Sequence, residues 1–330
     1  MTPAYGRMML QFQPASYLCN PHLQTLLGSA KLRHYWVTQR SHNLLEHSET
    51  TLLRTTDGVR LQTALSKNPR SNHKLAILLH GWEGSANSAY ILGCGQSLFN
   101  LGYTIARLNL RDHGDTHHLN RLPFNSVQVN EVYEAIINLA QRYPNEGILL
   151  LGFSLGGNFC LRLSAQRNIQ ELGLEKTIAI CPAIDPVHTS NTLEHGHWIY
   201  HHYFLKKWRA SLEKKYRYYP EIMHSPDDIK KGGLQAMNAK FVPLYTGYER
   251  PEDYLSAYRI TQATLESIPH SCDIIYSDDD PIINANDYDH LEETDNVRIH
   301  AQVYGGHCAF LQDWHLTSWI DAILPELVRA

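Results

Sequence analysis

Ser154 stands between glycines in "GFSLGG" (152–157), directly after the apolar run "EGILLL" and directly before "NFCLRLSAQR". A serine on a tight turn from strand to helix can present Oγ as a nucleophile. Small neighbours let the chain fold sharply there, and a helix start brings free N–H groups beside the reacting oxygen. A serine hydroxyl is a weak nucleophile near neutral pH, so the chemistry needs a base and a group to orient it, in the chain order serine, acid, histidine. That order is present. "CDIIYSDDDPII" is an apolar run ending in Asp278, Asp279 and Asp280, and "VRIHAQVYGGHCAF" carries His307 after a second run and a glycine pair. The position of His307 behind a strand end favours the base over a surface or structural histidine. The three aspartates compete for the acid. Asp280, immediately before Pro281-Ile282-Ile283, best fits a short turn into the next helix; Asp279 stands second, with helix capping or solvation as the plain alternative for each.

A tetrahedral intermediate also needs donors for its oxyanion. "LLHGWEGS" supplies a strand followed by His80-Gly81, a loop type that lends one backbone N–H, so the amides of Trp82 and Leu155 are the candidate oxyanion donors and His80 reads as a structural support of the loop. Two histidine-rich stretches raise metal chemistry as a rival, "RDHGDTHH" (111–118) and "HGHWIYHH" (195–202). His113 with His117, and His197 with His201, have the i, i+4 spacing that chelates on a helix, but neither stretch offers a third ligand at fixed spacing. The reading is no metal and no cofactor, with these stretches as polar surface.

The elements that must position these residues follow from apolar periodicity. "HKLAILLHG", "YTIARLNLR", "GILLLGFS", "KTIAICP" and "CDIIYS" are short, nearly continuous apolar runs, the pattern of strands buried on both faces. "ETTLLRTTDGVRLQTALS" reads as an antiparallel hairpin around Asp57-Gly58. In "SVQVNEVYEAIINLAQRYP", Val129, Val132, Ile136 and Ala140 recur at helical spacing, with Ser126 as a candidate cap and Pro144 as the stop. Such alternation predicts an α/β fold, a mainly parallel sheet covered by helices on both faces, with the ligand site at the carboxyl ends of the strands. Between "CPAID" and "SIPHSCDIIYS" a long segment breaks the rhythm. There Trp198, His202, Leu205, Trp208, Leu212, Tyr216 and Tyr219 recur at helical spacing, and Lys206, Lys207, Arg209, Lys214, Lys215 and Arg217 read as a solvated side, with contact to anionic lipid as the minority reading. The domain reading is 1–184 for the first part of the core, with an N-terminal extension over 1–50; 185–265 for a helical cap insertion; and 266–330 for the second part of the core. Trp198, Leu205, Trp208 and Leu212 either wall the substrate or simply pack the cap.

Composition narrows the classes. A chain of 330 residues, 43% hydrophobic and 19% charged, can bury a full core, and a net charge of 29 − 33 = −4 gives no basic field to draw in nucleic acid. The N-terminal residues lack a basic start with a long apolar core, and no apolar stretch reaches the length of a membrane span, so a soluble, cytoplasmic protein is expected. The six scattered cysteines, with no C-x-x-C pair, read as buried, reduced thiols.

Taken together, "NPHLQTLLG", "LLHGWEGSANSAYI", "LNLRDHGD", "GFSLGGNFCLRL", "IYHHYFLKKW", "YTGYERPEDYLSAYRI", "DDDPII" and "YGGHCAF" resemble the YheT-like branch of the α/β-hydrolases, related to the ABHD esterases and lipases. The likeness runs from about residue 20 to about 315. It implies an α/β-hydrolase fold, the nucleophile at Ser154, the acid at Asp280, the base at His307, and ester hydrolysis of a small-molecule or lipid-like substrate. "RDHGD" departs from the relatives, which more often show an Arg-Gly-His/Cys-Ser-Gly turn there. An acyltransferase or lipase using the same triad is the alternative, and a noncatalytic binding protein of the same fold is the reading from another class. The oligomeric state is left open.

Overall fold

The computed structural model describes residues 10–143, 145–229 and 231–329. Eight strands form one sheet: β1 Ser48–Arg54, β2 Arg60–Ser66, β3 Lys74–Leu79, β4 Thr104–Leu108, β5 Gly147–Phe153, β6 Leu174–Ile180, β7 Ser271–Ser277 and β8 Val297–Gln302. Their order is β1-β2-β4-β3-β5-β6-β7-β8. β1 and β2 are the antiparallel hairpin, β2 pairs antiparallel with β4, and every pairing from β4 across to β8 is parallel.

Strand periodicity decides which side chain faces which layer. Along β3, Ala76 and Leu78 join the core formed with helices Ala89–Asn100 and Trp319–Leu327, whereas Leu75, Ile77 and Leu79 join the core formed with helices Val129–Arg142 and Leu155–Ser164. Both faces are therefore covered, which is why these strands read as unbroken apolar runs. The chain leaves β3 for β4 on one side and returns to β5 on the other. This reversal opens a crevice at the carboxyl ends of β3 and β5.

The helix expected after Ser126 begins later than its cap signal. It spans Val129–Arg142 with Gln128 in the cap position, and the Ser126 amide donates instead to the Tyr254 hydroxyl at 2.8 Å. The stop signal at Pro144 lies outside the described residues. Between β6 and β7 the chain is helical, including Pro186–His195, the long helix Trp198–Tyr218 and Leu234–Tyr245. Among the described residues no helix is long and apolar enough to cross a membrane. All six cysteines are free; five are buried and Cys19 is partly exposed.

Two expectations for the long helix are corrected by its phase. Trp198, at its first turn, is 70% exposed and off the apolar stripe, and His202 is exposed as well. The buried face runs Leu205, Trp208, Leu212, Lys215, a 3-4-3 spacing that puts Lys215 inside despite its charge. Its ammonium donates to Asp112 Oδ1 at 2.8 Å and to the carbonyls of His117 (3.2 Å) and Asn120 (2.5 Å), while Asp112 Oδ2 accepts from the Phe124 amide at 2.9 Å. The pair fastens helix Trp198–Tyr218 to the loop after β4. That loop keeps positive φ at Asp112 (59°) and Asp115 (68°), and aspartate tolerates that region better than most residues. Lys215→Met should leave a buried carboxylate without its partner and lower unfolding stability by about 3–5 kcal/mol. Adding Asp112→Asn should return part of the loss. Denaturant unfolding checks this, and a change below about 1 kcal/mol in the single variant would contradict the role assigned to the pair.

Candidate active site

Ser154 follows the last residue of β5 and precedes helix Leu155–Ser164, with φ 53° and ψ −119°. That conformation is unfavourable for any side chain with a Cβ, and the turn is held by its surroundings. The Ser154 amide donates to the Ile180 carbonyl of β6 at 2.8 Å. A Cβ on Gly152 would sit 2.3 Å from the Gly156 carbonyl oxygen, and one on Gly156 would sit 2.4 Å from that of Leu79. Both glycines are thus required for strand, turn and helix to come this close.

His307 lies on the loop after β8. Its Nε2 is 3.0 Å from Ser154 Oγ and its Nδ1 is 2.7 Å from Asp280 Oδ2. A carboxylate can only accept, so Nδ1–H donates to Asp280 and Nε2 is left to accept from the serine hydroxyl. Asp280 is held in turn, its Oδ1 accepting from the amides of Ile282 (2.8 Å) and Ile283 (3.0 Å). Asp279 faces elsewhere and accepts from the Gly306 amide at 2.9 Å. Burial alone would pull the His307 imidazolium down. The buried Asp280 carboxylate, by its charge and its hydrogen bond, outweighs it and holds the imidazolium well above its ordinary value.

The loop from β3 closes the other side of the serine. A Cβ on Gly81 would lie 3.2 Å from Ser154 Cβ. Fully buried His80 braces this loop, its Nε2 accepting from the Leu110 amide (3.1 Å) and its Nδ1–H donating to the Gly81 carbonyl (2.8 Å). Burial first, then His113, lowers its pKa to about 3, so it stays neutral, as a structural histidine should. Trp82 and Leu155 line, with Ser154, a cavity of about 120 Å³ whose walls are mostly apolar. Among the described residues neither of their backbone amides donates to a backbone acceptor. A second, more polar cleft of about 600 Å³ also reaches Ser154, and His307 with it, and has Glu83, Lys207 and Tyr203 in its wall. Burial pushes the Glu83 carboxyl up to about 7, with Lys207 opposing the shift.

Of the four residues read as either walling the substrate or packing the cap, Trp208 lines the Ser154 cavity. Leu205 and Leu212 are buried in a core shared with Leu161, Ala179 of β6 and Ile274 of β7, and Trp198 points to solvent.

Thr25 was not singled out as a site residue. Its hydroxyl accepts from the His307 amide at 2.9 Å and donates to the Pro21 carbonyl at 2.7 Å, so helix Pro21–Gly28 holds the loop that carries the imidazole. Gln24, in the same helix, is fully buried and exchanges hydrogen bonds with the Leu311 amide (2.7 Å) and carbonyl (3.0 Å). The only sequence signal for either was the "PHLQT" run itself.

Among the described residues no group of three or more His, Cys, Asp or Glu side chains could hold a metal ion. His113 and His117 are not on a helix; His113 Nδ1 meets the Arg111 carbonyl at 2.7 Å and His117 Nε2 meets Ser211 Oγ at 2.9 Å. His201 Nδ1 lies 3.1 Å from the Leu193 carbonyl.

The sheet is mostly parallel, with Ser154 on the turn at its switch point and His307 within hydrogen-bond reach. Residues 75–313 match the model of the alpha/beta hydrolase fold, and the chain belongs to that family. It is 25% identical over 334 residues to the Escherichia coli (strain K12) protein named "Putative esterase YheT", covering 96% of this chain and 92% of that one. Solved structures of the same fold include the Pyrococcus furiosus esterase Pf2001 (TM-score 0.56, 15% identity, 86% of this chain and 90% of that chain) and the carboxylesterase CesB of Bacillus subtilis (TM-score 0.53, 13% identity, 92% and 98%).

Proposed function

We propose that this protein hydrolyses carboxylic esters through an acyl-enzyme on Ser154. The observation that carries the reading is the run of two hydrogen bonds, Ser154 Oγ to His307 Nε2 and His307 Nδ1 to Asp280. In this account His307 takes the Ser154 proton as Oγ attacks the ester carbonyl carbon. The amides of Trp82 and Leu155 receive the oxyanion. His307 then gives the proton to the departing alcohol. Water, deprotonated by the same imidazole, attacks the acyl carbon, releases the carboxylic acid and restores the serine hydroxyl. Asp280 holds the imidazole in the tautomer this requires. The helical insertion over residues 185–265 acts as the cap that supplies Trp208 to the acyl side. The likeness to esterase-named relatives supports the class of reaction.

The test is turnover of p-nitrophenyl esters by the purified protein across pH. The base works only when neutral. His307 is held above its ordinary 6.5, so it is protonated below that raised value, and activity is lost as pH falls through it. The acid limb of kcat/KM should therefore have its midpoint above pH 6.5. Activity that persists undiminished below pH 6 would contradict His307 as the base, and no turnover of any ester would overturn the reading.

A further inference from the structure

The cavity that holds Ser154 shares one lining residue, the aromatic Phe241, with a second cavity. The inner space of about 120 Å³ is walled on the insertion side by Trp208, Asn238 and Phe241, among others. The outer space of about 390 Å³ lies within the insertion and is lined by Leu212, Met223, Met237, Phe241, Leu244 and Tyr245, with His224, Asp228 and Lys240 completing it. Phe241 belongs to both. Helix phase puts the linings of the two spaces side by side: Trp208 and Leu212 are one turn apart on helix Trp198–Tyr218, and Asn238, Phe241 and Tyr245 follow one another at 3 and 4 residues on helix Leu234–Tyr245. The two helices thus carry one apolar seam past Phe241, whose ring packs edge-on to Trp208 at 5.6 Å and lies 5.0 Å from Tyr245.

A cavity of this inner size holds little. An apolar space of roughly 150 Å³ accommodates one benzene, so roughly six carbons fill the inner space and a longer acyl chain needs another volume. The outer space is the adjoining one, and its apolar lining suits hydrocarbon. Pro243 lies two residues beyond Phe241 inside the helix and lacks the N–H that would bond back to Ala239, which loosens the turn bearing the ring.

We propose that the substrates are long-chain acyl esters whose chain passes Phe241 and ends in the outer cavity, with Phe241 as the residue that sets chain length. This rests on Ser154 as the nucleophile. Each buried methylene adds roughly fourfold to kcat/KM, so the preference should climb well beyond six carbons.

The experiment measures kcat/KM for p-nitrophenyl esters from butanoyl to hexadecanoyl, below their micellar concentrations. The wild type should favour dodecanoyl or longer over butanoyl. Leu244→Trp, which fills the outer cavity from a half-exposed position, should lower the long-to-short ratio about tenfold or more, and Phe241→Ala should raise it. Leu205→Ala, which lines neither cavity, serves as the packing control: it should lower the melting temperature and leave the ratio within about twofold. If Phe241→Ala fails to fold, Leu244→Trp decides alone. A preference that peaks at about six carbons or fewer, or a ratio that Leu244→Trp moves less than twofold, overturns the proposal while the hydrolase reading stands. Absence of turnover at every length, with Ser154 unlabelled by a fluorophosphonate, overturns both.

Discussion

Ser154→Ala is expected to lower kcat/KM for a p-nitrophenyl ester by about 10³-fold or more while the protein stays folded. The serine supplies the oxygen of the acyl-enzyme, and alanine has no hydroxyl to offer in its place. His307→Ala should cost a similar factor, because the members of such a unit fail together and their losses do not add. The double variant should therefore be scarcely worse than either single one. Ser154→Ala keeps its Cβ, so the unfavourable backbone at φ 53° and the bond from its amide to Ile180 persist, and thermal unfolding should change little. Steady-state kinetics with unfolding curves on all three variants check this. Additive losses in the double variant would show that the two residues act separately.

The second large effect concerns the acid. Asp280→Asn keeps the shape and removes the charge beside His307 Nδ1, so the imidazole can be held in the wrong tautomer, with Nδ1 accepting from the amide and Nε2 carrying the proton. Turnover should fall by about 10³–10⁴-fold. The same change removes the charge that outweighs burial at His307, so the acid limb of whatever activity remains should move to lower pH. Asp279→Asn should do much less, since Asp279 accepts from the Gly306 amide rather than from the imidazole. An asparagine carboxamide oxygen can still accept that bond. The reverse ranking would transfer the acid to Asp279.

The sheet was legible because its central strands are buried on both faces, so their runs "LAILL", "ILLLGF" and "TIAI" carry no polar interruption. Ser154 could be read because it follows such a run at a glycine-flanked turn, His307 because a glycine pair separates it from the mixed strand β8, and Asp280 because a carboxylate before Pro281-Ile282-Ile283 can cap a short turn, as its bonds to the amides of Ile282 and Ile283 do. Their roles rest on the proposed reading. Thr25 could not be found that way, since it meets a residue 282 positions away. Lys215 was misread because charge was weighed before helix phase: three residues beyond Leu212, it continues the buried stripe. Trp198 was misread for the opposite reason, its aromatic character outweighing its place on the first turn of the helix. Ser126 has a capping side chain but lies before the helix start, and the Tyr254 hydroxyl has taken its amide.

Mapping the site of a fluorophosphonate adduct by peptide mass spectrometry tests the central claim most directly, since it reads the nucleophile without knowledge of the natural substrate. The account predicts one adduct, on Ser154, absent from Ser154→Ala and formed far more slowly in His307→Ala. An adduct on another residue, or labelling that persists in Ser154→Ala, would contradict it.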